Sequence, residues 1–142
     1  MTELTIDQAL QKGIEAHKCG QVQEANRIYT AILQAQPKHP HANHNMGILA
    51  VGVGKVQQAL SFFKTALEAN PTIGHFWISY IDTLIKLERS ADAKAVLDQA
   101  RGKGAKGNGF DKLEHRLKEV AEDAIVGSKA LVDLPIDKVS EV

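Results

Sequence analysis

Histidines are the residues best placed to do chemistry. His39, His41 and His44 crowd together, and His75 stands one interval of 34 residues after His41. His41 and His44, three apart, share one helical face, and His75 should project from the next helix on the same side. Neutral imidazoles at such spacing can hold Zn²⁺ or Ni²⁺. No Cys or carboxylate stands among them to complete a tetrahedral set, so they read as partly exposed polar groove residues, with a pH-sensitive contact open to any of them. Gly102-Lys-Gly104-Ala-Lys-Gly107 spells a dinucleotide fingerprint. That chemistry needs a strand before the first glycine and a helix opening on the last; here a helix precedes it, so it reads as a linker. Gly54-Lys55 lacks the Ser/Thr and the first glycine of a phosphate loop. Arg101, Lys103, Lys106 and Lys112 form a basic stretch that reads as solvated linker, with an acidic partner or phosphate contact as the alternative. Cys19 has no His–Asp or His–Asn arrangement to activate it. No hydrolase elbow, paired-carboxylate site or kinase signature is present. The expectation is a non-catalytic protein with no metal and no cofactor.

Bulk properties narrow the class. The chain has 142 residues, 17 Lys+Arg against 17 Asp+Glu, and 44% hydrophobic residues. That is one globular domain with enough length to bury a core. A net charge of zero argues against a duplex as main partner, because counterion displacement needs a basic excess. No apolar run approaches the roughly 18 residues that span a bilayer. The first ten residues lack a basic region followed by an apolar one, and Cys19 is alone, so a reducing cytoplasm is the expected location. The seven aromatic residues leave the core to Ala, Leu, Ile and Val, which implies closely packed helices.

Elements able to position these residues emerge from a repeat. Residues 6–39 and 40–73, aligned without a gap, share Gly13/Gly47, Ile14/Ile48, Ala16/Ala50, Gly20/Gly54, Val22/Val56, Gln23/Gln57, Ala25/Ala59, Leu33/Leu67, Ala35/Ala69 and Pro37/Pro71. Those are 10 identities in 34, where chance at average composition gives about 2. Tyr29 faces Phe63. A third copy begins at Gly74 and keeps His75, Ala93 and Ala100, with Leu97 at the aromatic position. The period and the spacing of small and aromatic positions resemble the tetratricopeptide repeat, with Trp77 at that repeat's tryptophan position. The third copy departs at Ile81, where the others have glycine, and at Ala105, where they have proline.

Helical periodicity supports the same pairs. Val22, Ala25, Ile28, Tyr29, Ile32 and Leu33 fall on one face, as do Val56, Ala59, Leu60, Phe62, Phe63, Ala66 and Leu67. Thr5 with Gln8 forms a capping box, and Ser90 is placed to cap the sixth helix. Gly20 and Gly54 suit the turns inside each pair; Pro37, Pro40 and Pro71 punctuate between helices. The expected organisation is three repeats in 1–105 (6–39, 40–73, 74–105), a Gly-rich linker at 106–110, an amphipathic capping helix at 111–130 with Asp111 as N-cap, and an extended tail at 131–142. Leu113, Leu117, Val120, Ala121, Ala124 and Ile125 make the cap's apolar stripe.

The resemblance implies an all-α, right-handed solenoid whose first helix in each pair lines a concave groove. That set is Asp7, Leu10, Gln11, Ile14, His17 and Lys18; then His41, His44, Asn45, Ile48 and Val51; then His75, Ile78, Ser79, Asp82, Ile85 and Lys86. Chaperone-binding members grip a carboxylate with Lys, Asn and Arg, and of the matching positions here only Asn45 fits. The asparagine ladder of sugar-transferase superhelices is matched at Asn45 but not at Gln11 or Ser79. The expected function is a protein-interaction module with a peptide or helix in a semi-apolar groove. The alternative is an accessory domain of a larger bacterial enzyme, since the third repeat resembles the closing repeat of segments that precede a transferase domain. An apolar partner segment, or the chain's own Leu131, Val132, Leu134 and Ile136, is expected in the groove, the latter giving weak self-association; a free tail is the rival.

Overall fold

Helices pair at an interval of 34 residues. They are α1 (Ile6–Lys18) and α2 (Val22–Ala35), α3 (Pro40–Gly52) and α4 (Val56–Ala69), and α5 (Gly74–Lys86) and α6 (Ser90–Gly102). A seventh, α7 (Asn108–Asp133), closes the array. This computed structural model describes residues 4–133, with side chains through residue 121, and no strand occurs among the described residues.

Local chemistry sets the starts and turns. Thr5 and Gln8 exchange the two bonds of a capping box at α1. At α3 the cap is His39, whose Nδ1 accepts from the Ala42 amide, with Pro40 as the first helical residue. Each pair turns through a left-handed residue after the C-cap: Gly20 (φ 77°), Gly54 (φ 83°) and Glu88 (φ 58°). The next amide then reaches back to Ala16, Ala50 or Leu84 at 2.8–2.9 Å. Two turns use glycine where L-residues are strained; the third adopts the same turn with a glutamate. Between pairs, the carbonyl of Pro37 accepts from the Asn43 side chain at 3.1 Å, and that of Pro71 from Trp77 Nε1 at 2.8 Å. Asn43 and Trp77 stand at the same repeat position, so one contact is made by two unlike residues.

Three boundaries differ from expectation. Ser90 is the first residue of α6 rather than its cap; Arg89 precedes it and no side chain caps the helix. α7 opens at Asn108, so Asp111 lies in its first turn, its amide bonded to the Gly107 carbonyl. The positive φ of Gly107 (116°) reverses the chain early enough for Asn108 to begin the helix. α7 also runs through Asp133, beyond the boundary at 130, and residues 134–142 lie outside the described residues.

Small residues let the pairs close. Ala25, Ala59 and Ala93 are fully buried at equivalent positions. Tyr29 covers Gly13 and Phe63 covers Gly47, each ring lying where a Cβ would have stood. In the third pair Ile81 and Leu97 occupy those two positions and are both buried in one cluster. The Ile81 departure is thus matched by a smaller partner, and volume is conserved across the contact. The largest core cluster joins α4 through α7 and includes Trp77, Phe110, Leu113 and Leu117. Among the described side chains the cap's stripe is buried as far as Leu117, and Val120 and Ala121 are exposed. α5 ends at Lys86, one turn past the Asp82 that faces Arg116, and offers little beyond to pack against. The side chains of Ala124 and Ile125 are not among those described.

Candidate functional site

The strip that the repeat resemblance assigns to the concave side is carried by α1, α3 and α5. On α3 the residues facing water are His41, Ile48 and Gly52, with Asn45 and Val51 half-buried beside them. Ile48 is 41% exposed. Leu10, Val51, Ile78 and Ile85 are half-buried and pack against the core clusters, so much of their apolar surface is already satisfied. Ile14 is half-buried, and Gln11, His41 and His75 are exposed. The semi-apolar strip read from the sequence therefore reduces to a narrower surface: Ile48 at its centre, with the amides of Gln11 and Asn45 at equivalent positions on successive helices.

The histidines separate into different roles. His39 is a helix cap. His17 turns toward α2, its Nδ1 3.3 Å from the Tyr29 hydroxyl, and burial lowers its pKa. His44 is a core residue, 6% exposed. Its ring stacks on Phe76 at 4.7 Å and meets His75 edge-on at 5.1 Å. Its Nε2 lies 2.7 Å from Ser79 Oγ, tying α3 to α5. Burial first, and then the neighbouring His75, lower its pKa to about 4, so the neutral ring is held at neutral pH. Ser79 is thereby engaged with His44 rather than offered to the groove. Only His41 and His75 of the original group remain exposed, and among the described residues no three His, Cys, Asp or Glu side chains converge as a metal site requires.

α7 closes the end of the strip at the third repeat. Gly109 sits against Ile78, with no room for a side chain between them. Arg116 reaches Asp82 at 2.6 Å, and Lys86 bonds the same carboxylate from one turn on. Burial pushes the Asp82 carboxyl up, but the two cations outweigh it and hold it below the usual carboxylate range. Ile78 and Asp82 thus face the chain's own cap. Arg116 is the residue that sequence reasoning missed; its position between Leu113 and Leu117, interrupting an apolar stripe, is the signal that could have found it.

The basic stretch also divides. Arg101 belongs to α6, not to the linker. It donates to the Ala105 carbonyl, to Asp111 at 2.8 Å and to Glu114 at 3.3 Å, and lies over the Phe110 ring. Lys103 and Lys106 remain exposed. Cys19 is the exposed C-cap of α1.

Comparison with known proteins agrees with this architecture. Residues 50–108 match the tetratricopeptide repeat family model, a span that includes the third, least regular repeat. Among curated proteins no sequence matches. The fold is similar to the Sgt2 tetratricopeptide domain from Aspergillus fumigatus, with a TM-score of 0.74, 19% identity, and coverage of 87% of this chain and 83% of that one. It is also similar to the second-B tetratricopeptide domain of yeast Sti1, solved as a complex with an Hsp70 peptide (TM-score 0.71, 19% identity, 80% and 96% covered). A third is the first such domain of Spaghetti (RPAP3), bound to an HSP90 peptide (TM-score 0.72, 18% identity, 80% and 90% covered). The chain has the tetratricopeptide-repeat fold: an all-α solenoid of three helix pairs plus a capping helix, as its repeats imply.

Proposed function

We propose that this tetratricopeptide-repeat chain is a non-catalytic protein-interaction module that takes a peptide or helix along the concave strip of α1, α3 and α5. The observation that carries the reading is Ile48, an aliphatic side chain 41% exposed at the centre of α3's only water-facing strip. Gln11 and Asn45, three residues before Ile14 and Ile48 at equivalent repeat positions, supply amides that can meet a peptide backbone. Two structurally similar domains were solved with chaperone peptides, which supports peptide recognition as the mode. α7 covers Ile78 and Asp82, so the bound segment runs over the first two repeats and the exposed His75 rather than the full length of the array.

The test is selection of binding peptides from a displayed library, followed by titration calorimetry with Ile48→Asp. Loss of binding by tenfold or more in this variant, with an unchanged melting temperature, is the expected result. Binding that survives Ile48→Asp undiminished places the working surface elsewhere. Deleting residues 131–142 and measuring mass by light scattering distinguishes occupation of the strip by the chain's own end: a fall in mass together with a gain in peptide affinity marks the end as a competitor.

A further inference from the structure

A second surface lies between the second helices of the first two repeats. A cleft of about 390 Å³ opens between α2 and α4, floored by Met46, Leu49 and Ala50 of α3. The floor belongs to the core, but the walls reach water: Val22 is 38% exposed, Val53 is 49% exposed, and Phe62 is half-buried. Two of the five large apolar side chains exposed among the described residues therefore stand on this one cleft. Its rim is made of neutral polar side chains such as Gln23, Asn26 and Gln58, with Lys55 as the only charged residue.

The interval of 34 residues identifies what the cleft lacks. One interval on, at the seam of the second and third repeats, Val56 stands for Val22, Leu60 for Asn26, Tyr80 for Met46 and Leu87 for Val53. There Leu60 is buried in the largest core cluster, with Tyr80 and Leu87 packed against that cluster, and Val56 is half-buried. At the first seam the exposed, polar Asn26 takes the place of that leucine, and Val22 and Val53 are left in water. The missing group is an aliphatic side chain, and at the next seam the chain itself fills the equivalent position with leucine.

We propose that this cleft docks an amphipathic helix of a partner protein through two leucines one turn apart. Along α2 the cleft runs from Val22 to Thr30, a rise of about 12 Å, which takes leucines at i and i+4 about 6 Å apart. Its walls are helices, and no strand occurs among the described residues to offer an edge to an extended segment, so the mode is helix in groove. With one charge on its rim, in a chain that is 24% charged, the cleft matches a neutral aliphatic face. The site is separate from the strip of α1, α3 and α5, so one chain can hold two partners, or two segments of one.

The experiment titrates the full chain by calorimetry with a blocked helical peptide of Ala and Gln that carries leucines at i and i+4. The control peptide has serine at both positions. The expected result is saturable binding of the leucine peptide that weakens at least tenfold in Val53→Asp and is unaffected by Ile48→Asp. Asn26→Leu is the decisive variant. It supplies from within the side chain that Leu60 supplies at the next seam, so it should raise the melting temperature and weaken peptide binding at least tenfold. Equal binding of the serine peptide, absence of binding by the leucine peptide, or binding indifferent to Val53→Asp or to Asn26→Leu would each overturn the proposal. Loss of binding in Ile48→Asp would also overturn it, by assigning the peptide to the concave strip. A doubled mass in light scattering that Val53→Asp returns to that of one chain would overturn it in favour of a second copy as occupant. Val53 and Asn26 are both exposed, and an unchanged melting temperature confirms that Val53→Asp is folded.

Discussion

Gly47 sits in the middle of α3, where alanine would be the better helix former by about 1 kcal/mol. Propensity alone therefore expects Gly47→Ala to stabilise. Packing expects the reverse. A Cβ built at Gly47 falls 2.5 Å from Phe63 Cε1, 2.7 Å from Cδ1 and 2.9 Å from Cζ. Three ring atoms are involved, and Phe63 is 2% exposed, with fully buried Ala59 one turn before it and the His44 ring 5.3 Å away. The ring has nowhere to swing, so the helices must part. Overpacking of this kind costs about 1–3 kcal/mol. With three simultaneous overlaps the upper half of that range applies, and the net loss after the propensity gain is about 1–2 kcal/mol. For a chain of this size that is a fall of roughly 4–8 °C in Tm. Calorimetry of Gly47→Ala, with Gly52→Ala as the control, measures it; a Cβ at Gly52 meets nothing within 4 Å. The third repeat supplies the compensating pair, Ile81 with Leu97, so Gly47→Ala/Phe63→Leu should lose less than the sum of its singles by at least 0.5 kcal/mol, on the order of contact couplings elsewhere. A Gly47→Ala variant that melts as high as the parent or higher would refute the account of glycine as the seat of an aromatic ring.

His44 makes stability fall with acid. Its pKa is about 4 folded, against about 6.5 unfolded, so the neutral ring's contribution is complete above the unfolded value and is lost as pH drops toward 4. By linkage the loss reaches about 3 kcal/mol at pH 4, and urea unfolding at pH 7 and pH 4 should show His44→Asn losing correspondingly less than the parent. Glu88 holds the left-handed turn that Gly20 and Gly54 hold in the other pairs, so Glu88→Gly should gain up to about 1 kcal/mol, read as a rise in denaturation midpoint at unchanged slope. Ala59 is fully buried between helices, and Ala59→Leu should cost roughly 1–3 kcal/mol; an unchanged Tm would mean that the register of the second pair is wrong.

Much of this protein is determined locally and is legible in the sequence. The interval of 34 residues sets three pairs of helices whose first members begin at Ile6, Pro40 and Gly74. The capping box at Thr5 and the glycines of the first two turns act within a few residues of chain, which is why composition and spacing expose them. The contacts that decide the surface join different helices, at separations from 10 residues to 35, and leave weaker traces. His41, His44 and His75 look alike along the chain, yet His44 alone meets Ser79 and stacks on Phe76, because neighbouring helices approach on that side of α3. Ile78 and Asp82 lie on the same periodic face as Ile48, but α7 folds back over them while leaving Ile48 in water. Arg101 reads as one of four basic linker residues until α6 extends to include it and α7 brings Asp111 and Glu114 to its guanidinium. Helix periodicity assigns each residue to a face; which faces another helix covers depends on packing between segments distant in sequence, and that packing is fixed only in the tertiary structure.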